Sequence, residues 1–277
     1  MRVAYLGPPG TFSEEALGKL PAAWKVEGLP CATIADACLA AENGSADTAL
    51  VPAENSIEGS VGVTLDMLVH EVDLCIRREV VLAVRLVFAV RTGETEFGGG
   101  KIVSHPQPLA QCRRYLREHY PAAAQEGVES TARAAGMVAE GKAWGAVMTA
   151  AAAHNLGLRV LADGIQDYPD NATRFVLLGR EEEPPSGDDK TSVVFSLRSD
   201  APGSLCAALV EFARRGINLT KVESRPEKTA LGRYLFFVDL EGHRQEVLVA
   251  ETLAAIKKQS SYWKILGSYP RQRRSVR

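Results

Sequence analysis

Long hydrophobic runs are missing from this chain. The most apolar stretch, 80–90, is interrupted by Arg85, and nothing approaches the roughly 18 to 20 apolar residues that a spanning helix needs. The opening MRVAYLGPPGTF lacks the apolar core of a secretory signal, because Gly7-Pro8-Pro9-Gly10 breaks it early. A cytoplasmic protein is expected. Charge of one sign is missing too: 32 Lys and Arg against 34 Asp and Glu leave a net charge of −2. Binding to nucleic acid needs clustered excess cations, so that partner is excluded. Cysteine is sparse and unpaired. Cys31, Cys38, Cys75, Cys112 and Cys206 contain no CxxC pair, which excludes a disulfide framework and a zinc site. They read as small buried hydrophobes. The histidines, His70, His105, His119, His154 and His243, are isolated from one another, so no multi-histidine metal centre is expected. GxSxG, HExxH and GxxxxGK[ST] are all absent. An enzyme built on this chain is expected to use neither metal nor cofactor.

What is present is ordinary globular composition, 46% hydrophobic and 24% charged. A length of 277 residues corresponds to roughly 1.8 domains at about 150 residues each. Residues 181–189, EEEPPSGDD, are acidic, rich in Pro and Gly and devoid of apolar side chains, and so read as a linker. Before it, in 1–180, short strand-like runs (3–6, 48–51, 76–90, 102–103, 145–148, 175–178) alternate with amphipathic stretches (13–20, 35–42, 62–70, 108–120, 132–140). That alternation predicts an α/β domain with largely parallel strands, and the long run 77–90 is placed to connect two lobes. After it, in 190–270, strands at 191–197, 217–224, 234–240 and 263–266 and helices at 204–215 and 246–258 make a ferredoxin-like βαββαβ order. The tail RQRRSVR, 271–277, has four arginines and no acid and reads as a solvated basic tail.

Five polar segments stand at strand–helix junctions or loops. In the first, 7–14, Thr11 and Glu14 have capping-box spacing, and Ser13 sits at a helix start where backbone N–H groups can hold a carboxylate. In the second, 52–60, Asn55 and Ser56 can donate neutral hydrogen bonds to a developing anion. The third runs from Ser104 through His105 to Gln111, whose side chain lies about 200° round the helix from Leu109 and so off the buried stripe. His105 invites an acid–base role, which competes with a structural one. The fourth, Ser130 and Thr131, starts a capped, alanine-rich helix. The fifth places Thr173, Arg174 and Phe175 together, a hydroxyl for a leaving oxygen beside a guanidinium suited to a carboxylate.

Taken in order, these segments are GPxGTFS, PxENSxxG, SHPQxLxQC, STAxAA and NxTRF. The chain resembles the prephenate dehydratase family over about residues 2–269, and its second part resembles that family's ACT regulatory domain. The resemblance implies a two-lobed catalytic domain of periplasmic-binding-protein type, with the site in the cleft, followed by the ferredoxin-like module. It implies conversion of prephenate to phenylpyruvate with loss of CO2 and water. Thr173 would be the proton donor to the leaving hydroxyl, with Asn55, Ser104 and Gln111 as the other catalytic residues. Thr11, Ser13, Ser56, Ser130, Thr131, Arg174 and Phe175 would bind substrate. For Arg174 two roles stand equal, holding a substrate carboxylate or bracing the lobe. Family likeness also implies inhibition by L-phenylalanine, held between paired ACT domains of a homodimer or homotetramer. The matching segments supply Gly203, Ser204, Leu205, Asn218, Leu219, Glu223, Ser224, Arg225 and Pro226, with Ser204 in place of the usual alanine. Removal of 191–277 would then spare catalysis and abolish the response. A chorismate mutase domain, fused upstream in some relatives, is not expected, since the first motif begins at Gly7. Arogenate as the substrate, or a non-catalytic sensor, are the competing readings.

Overall fold

The structure, a computed structural model, describes residues 1–94, 96–199, 201–228 and 232–272. In chain order its strands are β1 (Arg2–Leu6), β2 (Glu27–Cys31), β3 (Thr48–Asn55), β4 (Gly59–Ser60), β5 (Cys75–Ala83), β6 (Val87–Val90), β7 (Lys101–Ser104), β8 (Ala124–Gly127), β9 (Gly145–Met148), β10 (Arg159–Asp163), β11 (Ala172–Gly179), β12 (Asp189–Leu197), β13 (Leu219–Pro226), β14 (Tyr234–Glu241) and β15 (Ser260–Pro270). The helices are α1 (Phe12–Leu17), α2 (Ile34–Glu42), α3 (Gly62–Asp66), α4 (Pro106–Gln111), α5 (Arg113–His119), α6 (Thr131–Ala139), α7 (Ala150–Asn155), α8 (Ser204–Arg214) and α9 (Val247–Gln259). None of the described helices is long and apolar enough to cross a membrane.

Three sheets form. The first has the order β2-β1-β3-β11-β5, with β4 hairpinned onto β3; the second is β10-β6-β9-β7-β8; the third is β13-β14-β12-β15. The run 76–90 is two strands rather than one. β5 ends in the first sheet and β6 begins in the second, so this segment crosses between the lobes, and β11 returns to lie between β3 and β5. The expectation of largely parallel strands is corrected. β2, β1 and β3 are parallel, but β11 runs antiparallel to both its neighbours, and in the second sheet β6 runs antiparallel to β9 and β10. Each lobe therefore carries a mixed sheet, because the chain leaves and re-enters the first lobe. The amphipathic stretch 108–120 likewise splits at Cys112 into α4 and α5. Strands β2, β8 and β10 lacked any sequence signal for a physical reason. Each is the outermost strand of its sheet and mostly exposed, so none needs a hydrophobic face.

Both faces of the first sheet are covered. Val3, Tyr5, Leu50, Val80, Leu82, Phe175 and Leu177 pack under α1 on one side. Ala4, Ala49, Val51, Ala53, Ile76, Val176 and Leu178 lie on the other, in one cluster with Val194, Leu235, Phe237, Leu266 and Tyr269 of the third sheet. The third sheet thus uses its open face to cover the first sheet, while α8 and α9 cover its other face through Ala208, Phe212, Val249, Leu253 and Ile256. The approach is close: a Cβ on Gly267 of β15 would sit 2.2 Å from the Ile76 carbonyl oxygen of β5, so only glycine fits there.

Segment 181–189 is tied down along its length. Arg77 pairs with Glu183 at 2.6 Å, Arg244 pairs with Glu182, and the buried Asp189 accepts from Ser186 and Gly187. Of the basic tail, 273–277 lies outside the described residues. Arg271 pairs with Glu241 and, at 3.3 Å, with Asp188, and Gln272 hydrogen-bonds β5 through the Val81 N–H at 2.7 Å. Cys38 and Cys112 are buried as expected. Cys31 and Cys75 are only half-buried, however, and Cys206 is exposed on α8, where it faces solvent rather than a core.

Candidate active site

A cleft of about 400 Å³ opens between the two lobes. Leu6, Gly7, Thr11, Ser13, Asn55, Thr173 and Phe175 reach it from the first lobe, and His105, Gln111, Ser130 and Thr131 from the second. Val84, on the crossover, lies between them. Thr11, His105 and Ser130 are the N-caps of α1, α4 and α6, so three helix starts open on the cleft. The free N–H groups at the starts of α1 and α6 give it positive potential without a formal charge, whereas α4 offers none, because Pro106 and Pro108 lack an N–H and that of Gln107 is taken by His105. Among the described residues no lysine or arginine lines it.

Local geometry follows from the motifs. Ser130 caps α6 by accepting from the Arg133 N–H at 3.0 Å. The predicted capping box at Thr11 does not form. Its hydroxyl is turned back to the Leu6 carbonyl, and Glu14 instead accepts from the Gly10 N–H at 2.7 Å. His105 accepts weakly from the Gln107 N–H at 3.3 Å, with Pro106 occupying the first helical position.

The polar centre of the cleft is a buried chain of amides. Asn55 Oδ1 accepts from the N–H groups of Ile57, at 3.0 Å, and Glu58, at 3.2 Å. Its Nδ2 donates to Thr173 Oγ1 at 3.0 Å and to Asn171 Oδ1 at 2.9 Å. Asn171 Nδ2 donates in turn to Gln111 Oε1 at 3.0 Å, across the lobe boundary. Strand register explains the first contact, since Thr173 on β11 faces Asn55 on β3 directly. Asn171 is the residue that sequence reasoning missed as a site residue. It stood inside the NxTRF motif, but only the fold shows that it links Asn55 to Gln111.

Three expected site residues lie elsewhere. Ser104 is fully buried and donates to the Val147 carbonyl at 2.6 Å, so it fastens β7 to β9 behind the cleft wall. Ser56 accepts from the Ala172 N–H at 3.0 Å and supports the loop from outside. Arg174 points away from the cleft altogether. It pairs with Glu79 at 2.8 Å and Asp239 at 2.7 Å and donates to the Tyr269 hydroxyl at 2.5 Å. Of the two roles open for Arg174, this geometry selects bracing. Ser192 donates to Asp239 at 2.5 Å, and Lys190 reaches Glu79 at 2.8 Å. Burial opposes charge on the Arg174 guanidinium, but Tyr269, Asp239, Glu79 and Glu54 together hold it protonated far above its usual range.

A second cavity of about 440 Å³ lies in the ferredoxin-like module, where Gly203, Ser204, Leu205 and Cys206 meet Arg198, Tyr234 and Phe236. Asn218, Leu219, Glu223, Ser224, Arg225 and Pro226 do not line it. Glu223 and Arg225 are turned toward the first lobe instead. Glu223 accepts from Ser60 of β4, and Arg225 reaches Asp66 at 3.5 Å.

A family model described as prephenate dehydratase matches residues 3–183, and one described as an ACT domain matches 191–258. The chain is 42% identical over 271 residues to a bifunctional chorismate mutase/prephenate dehydratase of Aquifex aeolicus, covering 98% of this chain and 74% of that protein. It is 43% identical over 280 residues to a prephenate dehydratase of Mycobacterium tuberculosis, covering 98% and 87% respectively. A solved prephenate dehydratase from Arthrobacter aurescens, in complex with L-Phe, superposes with a TM-score of 0.90 at 38% identity, covering 100% of this chain and 93% of that one.

Proposed function

The chain belongs to the prephenate dehydratase family, and from that premise we propose how its cleft carries out the decarboxylating dehydration of prephenate to phenylpyruvate. Prephenate is a dianion whose ring is poised to aromatise. The ring carboxylate leaves as CO2, its electron pair moves through the diene, and the hydroxyl departs from the opposite ring carbon. One proton is consumed, and water is released.

The reading rests above all on the Thr173 hydroxyl. Its oxygen accepts from Asn55 Nδ2, and among the described residues it has no other partner, so its proton is free for the leaving oxygen in the cleft. As that proton moves, charge grows on Thr173 Oγ1, and the Asn55 N–H is already aimed at it. Solvent restores the proton. A lysine or arginine on the ring carboxylate would stabilise the ground state as much as the transition state. A lining in which hydroxyls, amides and helix starts outnumber the Glu129 carboxylate orients the dianion without that cost. Ser13, Gln111, Ser130 and Thr131 are assigned to substrate binding on this basis, with Thr11 contributing through the α1 start, since its hydroxyl is spent on Leu6, and Phe175 against the ring.

Residues 1–180 form the catalytic unit in this reading, 181–189 the linker and 190–270 the regulatory module. L-phenylalanine would occupy the cavity at Gly203–Leu205, and a second copy of the chain would complete the site through the exposed edge β13, giving a homodimer or a tetramer of such pairs. The route to the active site is short. Lys221 and Glu223 of β13 grip Ser60 and, at 3.6 Å for Lys221, Glu54 on the β3–β4 hairpin that carries Asn55. A cytosolic location fits a soluble substrate and effector.

The test is an assay on purified full-length protein with prephenate, then arogenate, each with and without L-phenylalanine. Phenylpyruvate from prephenate, suppressed by phenylalanine, is the expected result. Phenylalanine formed from arogenate alone would reassign the substrate, and no product from either would favour the sensor.

A further inference from the structure

We infer that Asn171 is a positioning residue that decides which end of the Gln111 amide faces the substrate. Backbone N–H groups can only donate, so the Asn55 atom that meets the N–H groups of Ile57 and Glu58 is its oxygen. That leaves Asn55 Nδ2 to face Asn171, and the Asn171 atom 2.9 Å from it must be oxygen. The same oxygen accepts from the Ser56 hydroxyl at 3.3 Å. Asn171 Nδ2 is therefore turned to Gln111, whose facing atom is Oε1. The polarity set by two backbone N–H groups in the first lobe passes through Asn171 and ends in the second lobe as a Gln111 Nε2 donor. Asn171 is 1% exposed, so no water competes for these bonds.

The end of this chain points to a ligand. Gln111 Nε2 is buried without a partner among the described residues, and Gln111 lines the cleft. An orphaned buried donor is costly unless a ligand supplies the acceptor. On the reading given above, that acceptor is an oxygen of the dianion. If the Gln111 amide were turned over, its carbonyl oxygen would face the anion and repel it. Asn171 touches no substrate; it acts through Gln111.

The experiment compares prephenate kinetics of the wild type, Asn171→Asp, Gln111→Ala and the double variant. Asp keeps the volume of Asn and every bond that Asn171 accepts, and loses only the donor to Gln111. Asn171→Asp is expected to raise KM about tenfold or more with kcat within about threefold of wild type. In the Gln111→Ala background the same change should have little further effect, because the amide it controls is gone. An added aspartate that repelled substrate directly would raise KM equally in both backgrounds, and that result overturns the inference, as does a loss confined to kcat. Should Asn171→Asp not fold, Asn171→Ala carries the same cycle with the same two outcomes. The inference rests on the proposed substrate, and the two fail separately: a wild type inactive on prephenate removes the substrate, whereas an additive cycle on an active enzyme removes only the role of Asn171.

Discussion

Thr173 and Arg174 are chain neighbours on β11 whose side chains leave opposite faces of the first sheet. Thr173 enters the cleft, 3.0 Å from Asn55, while Arg174 enters the ion cluster shared with the third sheet, 2.7 Å from Asp239. The period of two along a strand makes this unavoidable once Thr173 is aimed at the cleft. The proposed proton donor and the ion-cluster brace to the third sheet therefore share one stretch of backbone.

Thr173→Val is expected to abolish phenylpyruvate formation while leaving the circular dichroism spectrum and melting temperature close to wild type. Thr173→Ser should retain activity, and Asn55→Ala should lower kcat about 100- to 1,000-fold through loss of the aimed donor. Near-normal turnover by the valine variant would remove Thr173 from the mechanism.

Arg174→Gln leaves Asp239 buried without its paired cation and Glu79 with Lys190 alone. A cost of about 3–5 kcal/mol is expected, read by denaturant unfolding. Because Arg174 does not line the cleft, KM for prephenate in the folded fraction should stay within about threefold of wild type. A large KM increase at unchanged stability would return Arg174 to the substrate. Arg174→Lys should recover only part of the loss, since one ammonium cannot reach Glu79, Asp239 and Tyr269 in the geometry of the guanidinium fork.

Acid should loosen the same junction. Burial pushes the Asp239 carboxyl up, but Arg174 above all, with Ser192, Lys190 and Lys221, holds it below the usual carboxylate range. A depressed carboxylate stabilises the fold fully above its unfolded value, about pH 3.9, and loses that contribution as the pH falls through the lower folded value. Melting temperature should therefore be insensitive to this group from neutral pH to about 5 and fall below about 4. Asp239→Asn should start lower at neutral pH and lose less on acidification. Parallel curves for the two proteins would show that Asp239 does not contribute.

Thiol alkylation should be selective. Burial pushes the Cys38 and Cys112 thiols up to about 12 and the Cys75 thiol up to about 11, so they stay protonated and shielded. Cys206 is exposed and lines the cavity with Gly203–Leu205. Peptide mass spectrometry after brief iodoacetamide treatment should find Cys206 modified first, and L-phenylalanine should slow it. Unchanged labelling of Cys206 under saturating phenylalanine would place the effector elsewhere.

Removal of 191–277 now carries a different expectation from the one the family resemblance implies. Truncation would strip Asp239 and Tyr269 from Arg174 and uncover Ala53, Ile76, Val176 and Leu178. The shortened chain should be less stable and prone to aggregate, as seen by light scattering, rather than behave as an unregulated enzyme. A monodisperse, active and phenylalanine-insensitive fragment would show that the two units are energetically independent.

Much of the site was legible in the sequence, because its residues lie in short motifs with local logic. Ser130 caps its helix, a feature that depends on neighbours in the chain, whereas the helix expected from Pro108 begins two residues earlier, at Pro106. Ser104 shows the limit of that logic. A serine at the end of a strand looks available, yet its hydroxyl is spent on Val147, a contact 43 residues away. The effector segments show it again: Gly203–Leu205 and the β13 residues read as one set but sit at different places in the module.

By itself the sequence determined the α/β order of the first part, the βαββαβ order of the second and the dominance of Ser, Thr, Asn and Gln in the motifs. Those features follow from periodicity and turn chemistry over a few residues. Only the tertiary structure decided that β11 inserts antiparallel between β3 and β5, that Arg174 belongs to the interdomain brace, and that Asn171 joins the two lobes. Each of these depends on which strand lies beside which, a choice made by burial of whole faces and pairing of buried charges, and no local pattern of residues encodes it.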